Sequence, residues 1–154
     1  MTILREIGVI ARALDAMANI EFRHVDLAKG QYPYLVRIVE NPGIIQEELS
    51  DLLKVDRSTV ARSVKNLERK GLIVRRSAEG NLKNKELFAT EAGEKVYPLI
   101  IAEHSYSEQK ALTGFSKEEA ELLEGMLAKV RENITSDWEP VKKGQKRKYT
   151  EVTT

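Results

Sequence analysis

The chain has 154 residues, enough for one domain with a real core. Its 42% hydrophobic and 32% charged residues describe a globular protein with many exposed charges, and the formal net charge is only +1. With no cysteine, disulfides, thiolate metal sites and thiol redox switches are all excluded. No apolar run approaches the ~18 residues of a membrane span. Arg5 and Arg12 interrupt the apolar pattern of the amino terminus, so that segment reads as part of the fold rather than as a secretory leader, and the expected location is the cytoplasm.

Residues 3 to 18 place Ile3, Ile7, Ile10, Leu14 and Met17 at helical spacing, which predicts a long helix with one apolar stripe. After a break near Ala28-Lys29-Gly30, Tyr32, Leu35, Val36 and Val39 suggest a shorter helix, ended by Asn41-Pro42-Gly43. Ile45, Leu49, Leu52 and Leu53 give a third. Asp56 is a good amino-terminal cap for a fourth, in which Val60, Val64 and Leu67 recur at helical spacing and Gly71 is the stop. Leu72-Ile73-Val74 and Lys85 to Ala89 are strand candidates, joined by a polar stretch with Gly80-Asn81 as the hairpin loop. Thr90-Glu91 can start a helix reaching about Leu112, with Pro98 inside it. Ser116-Lys117-Glu118-Glu119 is a capping box heading a last helix with Leu123, Met126, Leu127, Val130 and Ile134 on one face. The polar, basic tail after Pro140 has no core to join and is expected to be disordered.

Four helices, a hairpin and two helices form a mainly α chain with a small β-hairpin wing, the order of a winged helix-turn-helix. The stretch DRSTVARSVKNLERKGLIVRR, residues 56 to 76, sharpens this reading. Between residues 54 and 76, eight basic residues oppose only Asp56 and Glu68, a local +6 in a chain of net +1. At about 100° per residue, Val60, Val64 and Leu67 share one side of the helix. Ser58, Arg62, Lys65 and Arg69 fall opposite, with Thr59 and Asn66 at one flank. A cationic face gains affinity for DNA by releasing condensed counterions, and an arginine can fork onto a guanine edge. A merely solvated charged face is the alternative, and the preceding helix and following hairpin favour DNA.

At QEELSDLLKVDRSTVARSVKNLERKGLIVRR, followed by LFATEAGE, the chain resembles the MarR family of transcriptional regulators. The resemblance runs from the GQYPYL segment through the final helix and is most specific from Gln46 to Gly93. It implies a winged-helix homodimer that binds a pseudo-palindromic operator in double-stranded DNA, often as a repressor released by a ligand or oxidant. Residues 1–140 would then be one regulator domain, with a DNA-binding part at about 32–90, dimerisation helices at about 2–20 and 91–137, and a tail at 141–154. Arg57, Ser58, Thr59, Arg62, Lys65 and Asn66, with Arg69 on the same face, would lie on the recognition helix, and Arg75, Arg76 and Lys83 would serve the wing. Two positions depart from the family pattern. Asn81-Leu82-Lys83 stands where family wings commonly carry Asp-x-Arg, which favours phosphate over base contact. Lys54 stands where the turn between the helices often has glycine, so a left-handed residue there would cost about 1 kcal/mol.

No catalytic constellation, phosphate loop or cofactor motif stands out, so an enzyme is disfavoured; a winged helix serving as a protein-interaction module is the other alternative. His24 and His104 are the only histidines, and with Glu103 and Glu108 they do not complete a metal site. Met17, Phe22, Tyr32 and Tyr34 are candidates to line a pocket, against the commoner reading of such residues as core. The family switches by thiol oxidation, by metal or by small organic ligands. Without cysteine, and with few metal ligands, an organic effector is what remains.

Overall fold

This computed structural model of the protein describes residues 2–149, and the chain divides after Gln109 into two compact bodies. In the first, α1 (Ile3–Glu21) leads through a 3₁₀ turn, Phe22–Val25, to α2 (Tyr32–Glu40), α3 (Gln46–Leu53) and α4 (Arg57–Arg69). The hairpin β1 (Ile73–Ala78) and β2 (Asn81–Ala89) follows, then α5 (Glu91–Ala111); the second body holds α6 (Lys117–Lys142). The expected order is the observed one.

The core of the first body is built from the apolar stripes read in the sequence. Val60, Val64 and Leu67 of α4 are fully buried with Leu35 and Ile38 of α2, Leu49 of α3 and Leu87 of β2. A buried leucine or valine contributes roughly 1.5–3 kcal/mol, so this layer fixes α4 by one side only. Ser50 closes the turn between α3 and α4, its hydroxyl donating to the Val55 carbonyl at 2.6 Å. Lys54 takes the left-handed conformation in that turn, φ 55°, as expected of the family's glycine position.

The boundaries differ in two places. The wing is longer than its apolar residues indicate. Both strands extend into SAEGNLKN, the turn is Glu79-Gly80 rather than Gly80-Asn81, and the register shifts between Ser77 and Ala78. A two-stranded ribbon is solvated on both faces beyond its base, so no apolar alternation marks its outer half. At its base the ribbon gains a third short edge: the Gly43 amide donates to the Leu87 carbonyl at 2.8 Å and the Leu87 amide to the Ile44 carbonyl at 2.9 Å.

The last helix does not stop at Pro140 but runs to Lys142. Its stop is Gly144, left-handed at φ 89°, whose amide donates to Val141 while Gln145 donates to Pro140. That pair of bonds closes a helix whatever residue precedes it, so glycine outranks proline as the signal here. Arg147 folds back to pair with Asp137, so the tail expected to be disordered is partly anchored; residues 150–154 of it lie outside the described residues.

Both long terminal helices leave apolar surface uncovered. Ala18 is the only buried residue of α1, while Ile3, Leu4, Ile10 and Met17 are exposed by half or more. No residue of α6 is buried, and Leu122, Met126 and Ile134 are exposed.

Candidate nucleic-acid interface

The outward face of α4 is set by its cap and its buried stripe. Asp56 accepts from the Thr59 amide at 3.0 Å and from the Thr59 hydroxyl at 2.6 Å. These bonds hold the Asp56 carboxyl below its usual range, with the hydroxyl contributing most, so a full negative charge sits on the positive end of the helix. Arg57, Ser58, Arg62, Lys65 and Arg69 are exposed, while Thr59 and Asn66 are half-buried at the flank. The structure therefore brings Ser58, Arg62, Lys65 and Arg69 onto one surface, with Thr59 and Asn66 at its flank and Arg57 to one side at the helix start. Arg62 is steered within it, donating to the Thr59 hydroxyl at 3.2 Å, and Arg69 donates to Asn66. Arg57 reaches Glu47 of α3 at 3.0 Å across an exposed gap, a contact that solvent screens heavily.

Two of the wing residues are held within the fold. Arg75 donates to Glu68 from Nε at 2.8 Å and from a terminal nitrogen at 2.9 Å, a bidentate bridge from β1 to α4. The Glu68 carboxyl is held below its ordinary range, chiefly by that hydrogen bond, and the Arg75 guanidinium is raised in turn. Arg76 lies with its guanidinium 5.0 Å from the Phe88 ring centre and opposite Glu86 in the ribbon. Lys83 is exposed on β2, beside Lys85. Of the three wing candidates, Arg75 and Arg76 brace the base of the hairpin, and Lys83 lies further out on β2. Nothing in helical or strand periodicity marks Glu68 and Arg75 as a pair, because they sit on different elements across a glycine turn.

The MarR family profile matches residues 25–81, from the 3₁₀ turn to the tip of the wing. An HTH-type transcriptional regulator of Bacillus subtilis, YybA, is 58% identical over 147 residues, 96% of this chain and 98% of its own. A MarR-family transcriptional regulator from Listeria monocytogenes, solved with a 26mer DNA, is 58% identical and superposes with a TM-score of 0.93, over 95% of this chain and 97% of that one. The chain belongs to the MarR family. A more distant MarR protein, from Peptoclostridium difficile, keeps a TM-score of 0.88 at 33% identity, over 92% of each chain.

In this MarR-family chain the four residues named as possible pocket lining do not form one wall. Phe22 and Tyr32 are buried and meet with ring centres 5.4 Å apart. Tyr34 is buried too, but two residues on along α2 it points about 200° away from Tyr32. Met17 is half-exposed on α1. The residue that does join Phe22 and Tyr32 is His104 of α5, edge-on to Tyr32 at 5.5 Å and to Phe22 at 6.5 Å. The Tyr32 hydroxyl donates to Asp15, and burial, with that carboxylate second, pushes its ionisation well above the usual phenol value. His104 gave no periodic signal to distinguish it from a solvated helical histidine.

Proposed function

We propose that this MarR-family chain is a transcriptional repressor that binds double-stranded DNA as a homodimer, with α4 of each protomer entering the major groove of one half of a pseudo-palindromic operator. The observation that carries this is the two-sidedness of α4. Its apolar side is fully buried, and Ser58, Arg62, Lys65 and Arg69 stand out on the other, with Arg57 exposed at the helix start. Small polar side chains at the start of such a helix can approach base edges, and the arginines can fork onto guanine or phosphate. The DNA carried by the Listeria relative supports the same reading.

Homodimer formation is supported by the uncovered apolar residues of α1 and of α6, each set being larger than scattered surface hydrophobics would give. The protein acts by binding alone, in the cytoplasm where its DNA lies, and a small organic molecule is its effector. The test is to select bound fragments from the source genome and measure their affinity across salt. A palindromic consensus with affinity falling steeply in salt is expected. Binding without sequence preference, or none, would overturn the reading.

A further inference from the structure

At the carboxyl end of α4, three consecutive residues are tied to other parts of the chain. Lys70 donates from Nζ to the main-chain oxygen of Asp26 at 2.5 Å and to the side-chain oxygen of Gln31 at 3.3 Å, with the Asp26 carboxylate 3.8 Å away. Gly71 accepts from the Thr90 hydroxyl at 2.6 Å, and Leu72 accepts from the Thr90 amide at 3.0 Å. The Lys70 acceptors lie in the segment joining the end of α1 to α2. Asp26 is held left-handed there, φ 60°, and Gln31, only 3% exposed, also accepts from the Ala28 amide at 3.2 Å. The Lys70 side chain is 22% exposed, so its ammonium is largely served by these protein oxygens rather than by water.

We infer that Lys70 is a positioning residue for operator binding: its clamp on Asp26 and Gln31 fixes α4 against the segment that follows α1, and thereby fixes how far apart the two recognition helices stand in the dimer. The inference rests on the homodimeric DNA-binding reading above. Although Lys70 belongs to the basic stretch by sequence, its charge is spent inside the fold. A helix held in place loses less freedom on binding, and two helices at a fixed separation accept only one half-site spacing.

The test uses the full-length protein and duplexes that it selects from a random-sequence pool, rebuilt with one base pair added or removed between the half-sites. Wild type should discriminate sharply between spacings. Lys70→Met, which keeps the aliphatic stem, should bind the selected duplex about tenfold more weakly while losing much less on the altered ones, so that the spacing preference flattens. Its salt dependence should match wild type, and Lys70→Arg should restore the preference in part. Spacing preference unchanged in Lys70→Met, with wild type binding well, would sink the clamp and leave the function standing. A salt slope reduced by about one would also sink it, by making Lys70 a phosphate contact. Should Lys70→Met melt early, Gln31→Met removes one acceptor of the same clamp and must flatten the preference in the same direction. Failure of wild type to select any duplex would instead overturn the function itself.

Discussion

Arg75 grips Glu68 through two guanidinium nitrogens, at 2.8 and 2.9 Å, and so fastens the first strand of the wing to the helix before it. Both side chains are about two-thirds covered, at 31% and 35% exposure. The bridge ties wing to recognition helix with a charge, that of Arg75, that the sequence alone assigns to DNA.

The bridge makes stability depend on acid. Glu68 is held below its ordinary value of 4.5, so folding favours the ionised carboxylate. Its contribution is fully present at neutral pH and is lost as pH falls from the unfolded value through the lower folded one. Glu68→Gln should be less stable than wild type by up to ~1 kcal/mol at pH 7. Urea titrations at a series of pH values should show that gap narrowing as pH falls through 4.5 and below. A gap independent of pH would mean the bridge contributes nothing through charge.

Arg62 and Lys65 share the exposed face of α4 but should behave differently. Arg62→Ala should cost roughly 1–3 kcal/mol on the operator and relax the preference at one base pair per half-site. Lys65→Ala should weaken every duplex alike and lower the salt slope by about one. Anisotropy titrations on matched and mutated duplexes separate the two, and equal losses from both substitutions on all sequences would reduce α4 to a phosphate-binding helix.

Gly93 is required for close approach. A Cβ there would stand 2.2 Å from the main-chain oxygen of Leu72, which is already committed to the Thr90 amide. Gly93→Ala must therefore push α5 away from the end of α4, costing about 1–3 kcal/mol, as overpacking does. Thermal melting reads this directly. An unshifted midpoint would show that the junction is slack.

Leu4 and Ile10 are 66% and 53% exposed on α1. Replacing both with glutamate should leave the chain folded and shift light scattering from dimer to monomer, because charge cannot be buried unpaired in an apolar interface. A dimer that survives both charges places the interface elsewhere.

With no cysteine in the chain, hydrogen peroxide at concentrations that spare methionine should not release operator DNA. Small aromatic acids should release it at least weakly, by binding better to a dimer whose helices no longer match the grooves. Rapid release by peroxide, reversed by reductant, would contradict this.

Much of the molecule is determined by sequence alone. Asp56 and Gly71 bracket α4, and Val60, Val64 and Leu67 state which side is buried, because caps and a 3.6-residue period are local properties of the chain. The basic face follows as their complement. The left-handed Lys54 could be anticipated only from the family pattern. What tertiary structure decided is which charges remain for DNA. Arg75 is taken by Glu68 and Lys70 by Asp26 and Gln31, the latter 39 or more residues apart in sequence. A charge read along the chain carries no sign of its partner, since pairing depends on distances that only the packing of α2, α4 and β1 creates. The same holds for His104 beside Phe22 and Tyr32, which meet across three elements. Periodicity reports which side of an element is buried; it does not report what that side meets.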